Sequence, residues 1–169
     1  MTTYDELQFA EVETPPVLAA QVGGQSAPDP SAISAAIGAA FGTLIGFMGR
    51  HAVAPGGPPR AVYTAYGREG VSFTVAIPVA PVAAAPPDEP PVTVGSLPAG
   101  KAYRFTHRGP YRNLMQTYGN ITAFLKAKGC LQSDADWARY MPMWEEYRND
   151  PETTPEADLL TYIYLPVGG

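Results

Sequence analysis

The chain states one pattern twice, and that repetition limits the folds open to it. In the first copy "PPVLAAQVGG" reads as a strand and an uncharged helix runs from Ser31 to about His51. The loop "APGGPP" follows, then two strands, "RAVYTAYG" and "VSFTVAIPV". In the second copy "KAYRFTHRG" is the strand and "PYRNLMQTYGNITAFLKAKG" the helix, followed by the strands "MWEEYRND" and "LLTYIYLPV". The copies end alike, in Ile77-Pro78-Val79 and Leu165-Pro166-Val167. Duplicated β-α-β-β units predict an α+β fold with pseudo-twofold symmetry. The expected architecture is an antiparallel sheet with the helices on one side and a central ligand cleft between the halves. A single domain is expected over residues 1–169, with half-repeats at about 15–79 and 92–167. The Pro-rich linker between them, residues 80–91, is expected to be mobile and tolerant of small deletions.

Each helix is written in its apolar spacing. Leu114, Tyr118, Ile121 and Leu125 stand 4, 3 and 4 apart, which is one helical stripe. Pro110 suits the start of that helix and Gly129 its C-terminal cap. In the first helix Ile33, Ile37, Phe41, Leu44 and Met48 are spaced 4, 4, 3 and 4. Gly38, Gly42 and Gly46 repeat every four residues, as on a membrane helix-pairing face. The remaining Ala, Gly, Ser and Thr are too weakly apolar for strong insertion. The reading is a core helix whose glycines allow close packing on a sheet, with no membrane span.

Composition removes other classes. The formal net charge of -5 leaves no basic footprint for nucleic acid. One cysteine, Cys130, allows no intrachain disulfide and fits a reducing, cytoplasmic setting. Two histidines and that cysteine lie far apart, so neither a metal site nor a cofactor is expected. The acidic N-terminus "MTTYDELQFAEVE" is not a signal peptide. "VGGQ", residues 22–25, lacks the lysine and glycine spacing of a phosphate loop.

The chemistry concentrates near the C-terminus, where Glu145 and Glu146 sit between Trp144 and Tyr147. A carboxylate among aromatics is poorly solvated, and its ionised form is costly unless paired. Strand alternation puts Glu145 with Tyr147 on one face and Glu146 on the other. Parity by itself does not say which glutamate faces inward.

The order of "AVYTAYG", "VAIPV", "LPAGKAYRFTHRGPYRNL" and "WEEYRNDPETTPEADLLTYIYLPV" resembles the GyrI-like family of small-molecule-binding domains, over nearly the whole chain. The family includes the effector-binding domains of multidrug-sensing regulators such as BmrR and is related in fold to SOUL proteins. The resemblance implies a stand-alone member without a DNA-binding segment. It also selects Glu145 as the pocket glutamate of the E-x-Y pattern, with Tyr147 beside it and Glu146 turned to solvent. Small hydrophobic or cationic organic ligands are the implied partners, held by monomer or homodimer, with no direct nucleic-acid contact. Trp144, Trp137, Tyr63, Tyr66, Phe73, Tyr162 and Tyr164 are the candidate ring contacts. His107, before Arg108-Gly109-Pro110-Tyr111, reads as a turn residue.

Two further uses follow from the resemblance. One is hydrolysis of cyclopropane-bearing genotoxic compounds, with Glu145 directing water and Tyr147 donating a hydrogen bond. The other is a gyrase-inhibitor-like protein interaction. Binding of lipophilic, aromatic or cationic compounds is the preferred reading. The first half offers only Glu69, which reads as a turn residue, as a second carboxylate.

Overall fold

The computed structural model describes residues 7–80 and 86–167. The chain forms two compact units: Pro15–Gly100, and the residues up to Thr14 together with those from Lys101 onward.

In the first unit β2 (Val17–Ser26) leads into α1 (Pro30–Arg50), then β3 (Arg60–Gly67) and β4 (Gly70–Pro78). β4 pairs antiparallel with both β2 and β3, so the later strand lies between the other two. In the second unit β6 (Gly100–Arg108), α2 (Leu114–Ala127), β7 (Met143–Tyr147) and β8 (Leu160–Pro166) repeat the order. β8 again lies in the middle, antiparallel to β6 and β7. Each unit is thus α+β and β-α-β-β, as the repeat predicts.

Each unit also carries an outer strand that the sequence reading leaves out. β5 (Thr93–Leu97) pairs antiparallel with β2, and β1 (Ala10–Thr14) neighbours β6. Both are only five residues long, and each stops at proline: Pro15-Pro16 after β1, Pro98 after β5. Proline lacks the N–H that would continue a ladder.

The helix ends follow local chemistry. The Asp29 carboxylate accepts from the backbone N–H of Ser31 and Ala32 at 3.0 and 3.2 Å, and Pro30 fills the first helical position. α2 ends in a left-handed Gly129, φ 76°. There the Gly129 N–H bonds Lys126 O and the Cys130 N–H bonds Leu125 O, satisfying two otherwise open carbonyls. A short 3-10 turn, Tyr111–Asn113, precedes α2, and another spans Asp134–Tyr140.

α1 buries Leu44, Phe47 and Met48 and packs on β2 and β4. Its glycines do not act as expected. A Cβ built at Gly38 or Gly42 would meet nothing within 4 Å, so these two are not close-packing positions among the described residues. Ile45, on the same helix, is 63% exposed. By length and composition alone α1 would suffice to cross a membrane.

Close packing by glycine occurs instead at Gly24 in β2, opposite Phe73 in β4. A Cβ there would lie 2.6 Å from the tip of the Phe73 ring, which is 3% exposed. Gly24→Ala must push that ring out of place. The expected cost is about 1–3 kcal/mol, a drop of roughly 2–12 °C in Tm. An unchanged melt would show that the ring relocates freely.

Residues 81–85 of the expected mobile linker lie outside the described residues. The part that follows is tied down. Glu89 and Val92 exchange backbone hydrogen bonds at 2.8 and 3.0 Å. Glu89 also meets Arg50 and His51 at the end of α1, at 3.2 and 2.8 Å.

Candidate functional site

The β7–β8 register decides which side of the second unit's sheet each aromatic faces. Glu145 stands opposite Ile163 and Tyr147 opposite Thr161. On β8's other side, Phe105 and His107 stand opposite those same residues. Directly paired residues share a face. Glu145, Tyr147, Thr161, Ile163, Phe105 and His107 therefore lie on one side, the side that α2 meets through His107 and Glu145.

Glu145 is 4% exposed. The Tyr147 hydroxyl donates to its Oε1 at 2.8 Å, as the shared parity predicts. The Tyr118 hydroxyl, from α2, donates to Oε2 at 2.5 Å. Sequence reasoning missed Tyr118, treating it as one more apolar residue of the helix stripe. The available signal was its hydroxyl, since a phenol on a sheet-facing stripe needs an acceptor.

Further rings surround this pair. Tyr111 packs edge-on against Tyr147, with ring centroids 5.4 Å apart, and Trp137 packs edge-on against Tyr118 at 6.5 Å. Burial, then the charges of Asp150 and Glu145, push the Tyr111 phenol above its ordinary pKa. It is a neutral hydroxyl at physiological pH. The site is thus one buried carboxylate, two phenols bonded to it, and two further rings. Such a site can pair with a cation and stack on flat groups.

Trp144, Tyr162 and Tyr164 lie on the opposite side of the sheet, with Glu146. Trp144 stacks on Tyr164 at 5.0 Å, away from the Glu145 side. Alternation predicted that Glu146 would point away from Glu145, and it does. The expectation that it meets solvent is corrected: Glu146 is 5% exposed and bonded to Arg148. Two residues on from Glu146, Arg148 reaches back along the same face and supplies a counter-charge.

Tyr63, Tyr66 and Phe73 belong to the other unit. Tyr63 and Phe73 are cross-strand partners, 7% and 3% exposed, whereas Tyr66 is 48% exposed and meets Tyr63 at 6.5 Å between ring centroids. A groove of about 310 Å³ at β1 and β6 is lined by other residues, among them Glu11, Glu13, Lys101 and Tyr103. Among the described residues no group of three or more His, Cys, Asp or Glu could hold a metal.

His107 is a buried clamp rather than a simple turn residue. It is 3% exposed, meets the Thr117 hydroxyl through Nδ1 at 2.6 Å and donates from Nε2 to Pro110 O at 3.1 Å. Burial pushes its pKa below the ordinary 6.5, partly offset by bonds to the Pro110 and Gly109 backbone. The folded state therefore favours the neutral ring. Stability from this preference is complete above the unfolded pKa of about 6.5 and falls as pH drops toward the folded value. Urea midpoints measured from pH 7.5 down to 5 are expected to decline more in the wild type than in His107→Gln. Equal slopes would remove His107 from the acid response.

Solved structures of low sequence identity share this fold. The C-terminal domain of EcmrR matches with a TM-score of 0.68 at 18% identity, covering 96% of this chain and 98% of that one. The chain spans 57% of the EcmrR chain in its DNA complex. SAV2435 bound to tetraphenylphosphonium matches at 0.63 and 12% identity, covering 95% and 94% of the two chains. A hydrolase from Listeria innocua matches at 0.59 and 17% identity, covering 95% and 91%. No curated protein matches the sequence. The GyrI-like small molecule binding domain family matches residues 68–168, and the chain belongs to that family.

Proposed function

We propose that this domain binds lipophilic, aromatic or cationic small molecules at Glu145, as a multidrug- or toxin-binding protein. The observation that carries the reading is a carboxylate 4% exposed that accepts hydrogen bonds from two phenols, with Tyr111 and Trp137 packed on those phenols. A buried carboxylate is costly in an apolar setting, and a desolvated organic cation offsets that cost while its flat groups stack on the rings. Tetraphenylphosphonium, present in the similar SAV2435 structure, is the natural first probe. Calorimetric titration should show saturable binding of this cation and weaker binding of neutral triphenylphosphine oxide. Equal affinity for the two would overturn the role given to charge.

A second reading is a hydrolase of strained small molecules such as cyclopropane-bearing genotoxic compounds. It is favoured by the pairing of a carboxylate with phenol donors and by the likeness to the Listeria innocua hydrolase. Glu145 would direct water and Tyr147 would donate a hydrogen bond. Mass spectrometry of products from cyclopropane- and epoxide-bearing compounds tests it. Ligand binding without product leaves the binding protein.

A further inference from the structure

On the side of the second unit's sheet opposite Glu145, Arg104 has no carboxylate at ion-pair distance among the described residues. Arg104 (β6), Tyr162 (β8) and Tyr164 (β8) share that side, with Arg148 one residue beyond β7. The Arg104 guanidinium lies over the Tyr162 ring, 4.7 Å from its centroid, and that of Arg148 lies over the same ring at 5.1 Å. The two arginines approach from the strands on either side of β8. Arg148 is paired with Glu146, as Arg50 is with Glu89 and Arg112 with Glu156. Among the described residues Arg104 has no carboxylate at ion-pair distance, and its buried Nε has no hydrogen-bond partner.

A half-buried guanidinium loses hydration, and contact with a ring face restores only part of it. Lying over the ring leaves the edge of the guanidinium, where the N–H donors are, to the Tyr164 hydroxyl and to a ligand. That edge matches the paired oxygens of a carboxylate or phosphate. Arg148 has a half-exposed side chain beside the same ring and shares its charge with Glu146, leaving its outer N–H donors as a second contact.

We propose that Arg104, with Arg148 over Tyr162, forms an oxyanion site for a small carboxylate or phosphate, on the sheet face opposite Glu145 and independent of the binding proposed there. A domain with both sites accepts cationic groups on one face of its sheet and anionic groups on the other.

The test is the arginine Nε–Hε spectrum of the full chain by NMR, titrated with sodium benzoate or inorganic phosphate at chloride-matched ionic strength. A saturable shift of the Arg104 resonance is expected below about 10 mM with at least one probe. Saturation by benzoate alone indicates an aromatic carboxylate, and saturation by phosphate alone indicates a phosphate group. Arg104→Gln should weaken the titration, followed at the remaining arginines, by about tenfold or more, whereas Arg112→Gln should leave it unchanged. If Arg104→Gln does not fold, Arg148→Gln should still weaken binding several-fold at the Arg104 resonance. No saturable shift with either probe, an equal shift with chloride alone, or a titration unaffected by every arginine substitution on this face would overturn the proposal.

Discussion

Glu145→Gln should lower affinity for tetraphenylphosphonium by about thirty- to several-thousand-fold while changing affinity for triphenylphosphine oxide far less. The size follows from the loss of one partner of a desolvated charge pair, about 2–5 kcal/mol. Glutamine retains the shape of the side chain but not its charge. Its amide nitrogen cannot accept from a phenol, so the bond with Tyr118 or Tyr147 must reverse direction or be lost. Some of the cost will therefore appear as lost stability, and both unfolding and binding should be measured. Glu146→Gln is the control for side. It is buried on the opposite face with Arg148, so it should cost stability and leave cation affinity nearly unchanged. If the domain is instead a hydrolase, Glu145→Gln should retain neutral substrate and lose turnover. Equal, small effects of both substitutions on binding would place the cation site elsewhere.

How much of this site was legible depends on which physical signal fixed each part. The pairing of Glu145 with Tyr147 needs only the two-residue period of a strand, and the structure reproduces it. The choice of Glu145 over Glu146 is different, because parity is symmetric between faces. Tyr162 and Tyr164 show the same limit. Their shared parity is visible, but whether they join Glu145 depends on a register that aligns Ile163, rather than a tyrosine, with it. A slip of one residue would have reversed the answer.

The fold divides along similar lines. Caps, prolines and apolar stripes lie within a few residues of the elements they control, so α1, α2 and six strands are readable from sequence. β1 and β5 are five residues long and stand beside strands that are not their simple hairpin partners. β1 neighbours β6, about ninety residues away, and no local signal specifies that contact. Its acidic alternation, Glu11-Val12-Glu13, also resembles polar tail sequence. Phe9, just before β1, was overlooked for the same reason. Its ring meets Phe105 at 5.4 Å and Phe124 at 4.9 Å.

That cluster supports the largest stability effect expected here. Phe105 is fully buried in β6, opposite the fully buried Ile163, and its ring packs edge-on against Phe124 of α2 at 5.5 Å. Phe105→Ala should cost about 3–5 kcal/mol, because transfer of the ring is lost and a cavity remains among Phe9, Phe124 and Ile163. Against a typical domain stability of 5–15 kcal/mol, this is a large share. Met115→Ala, at a residue 58% exposed on the same helix, should change stability by about 0.5 kcal/mol or less. Urea denaturation followed by tryptophan fluorescence would read both. Phe105 also shares a sheet face with Glu145 and helps seat the helix that carries Tyr118. A folded Phe105→Ala should therefore bind tetraphenylphosphonium differently from wild type even though it leaves every candidate ligand contact in place. A small urea shift together with unchanged binding would mean that α2 is held on the sheet by other contacts, and that the aromatic cluster does not position Tyr118.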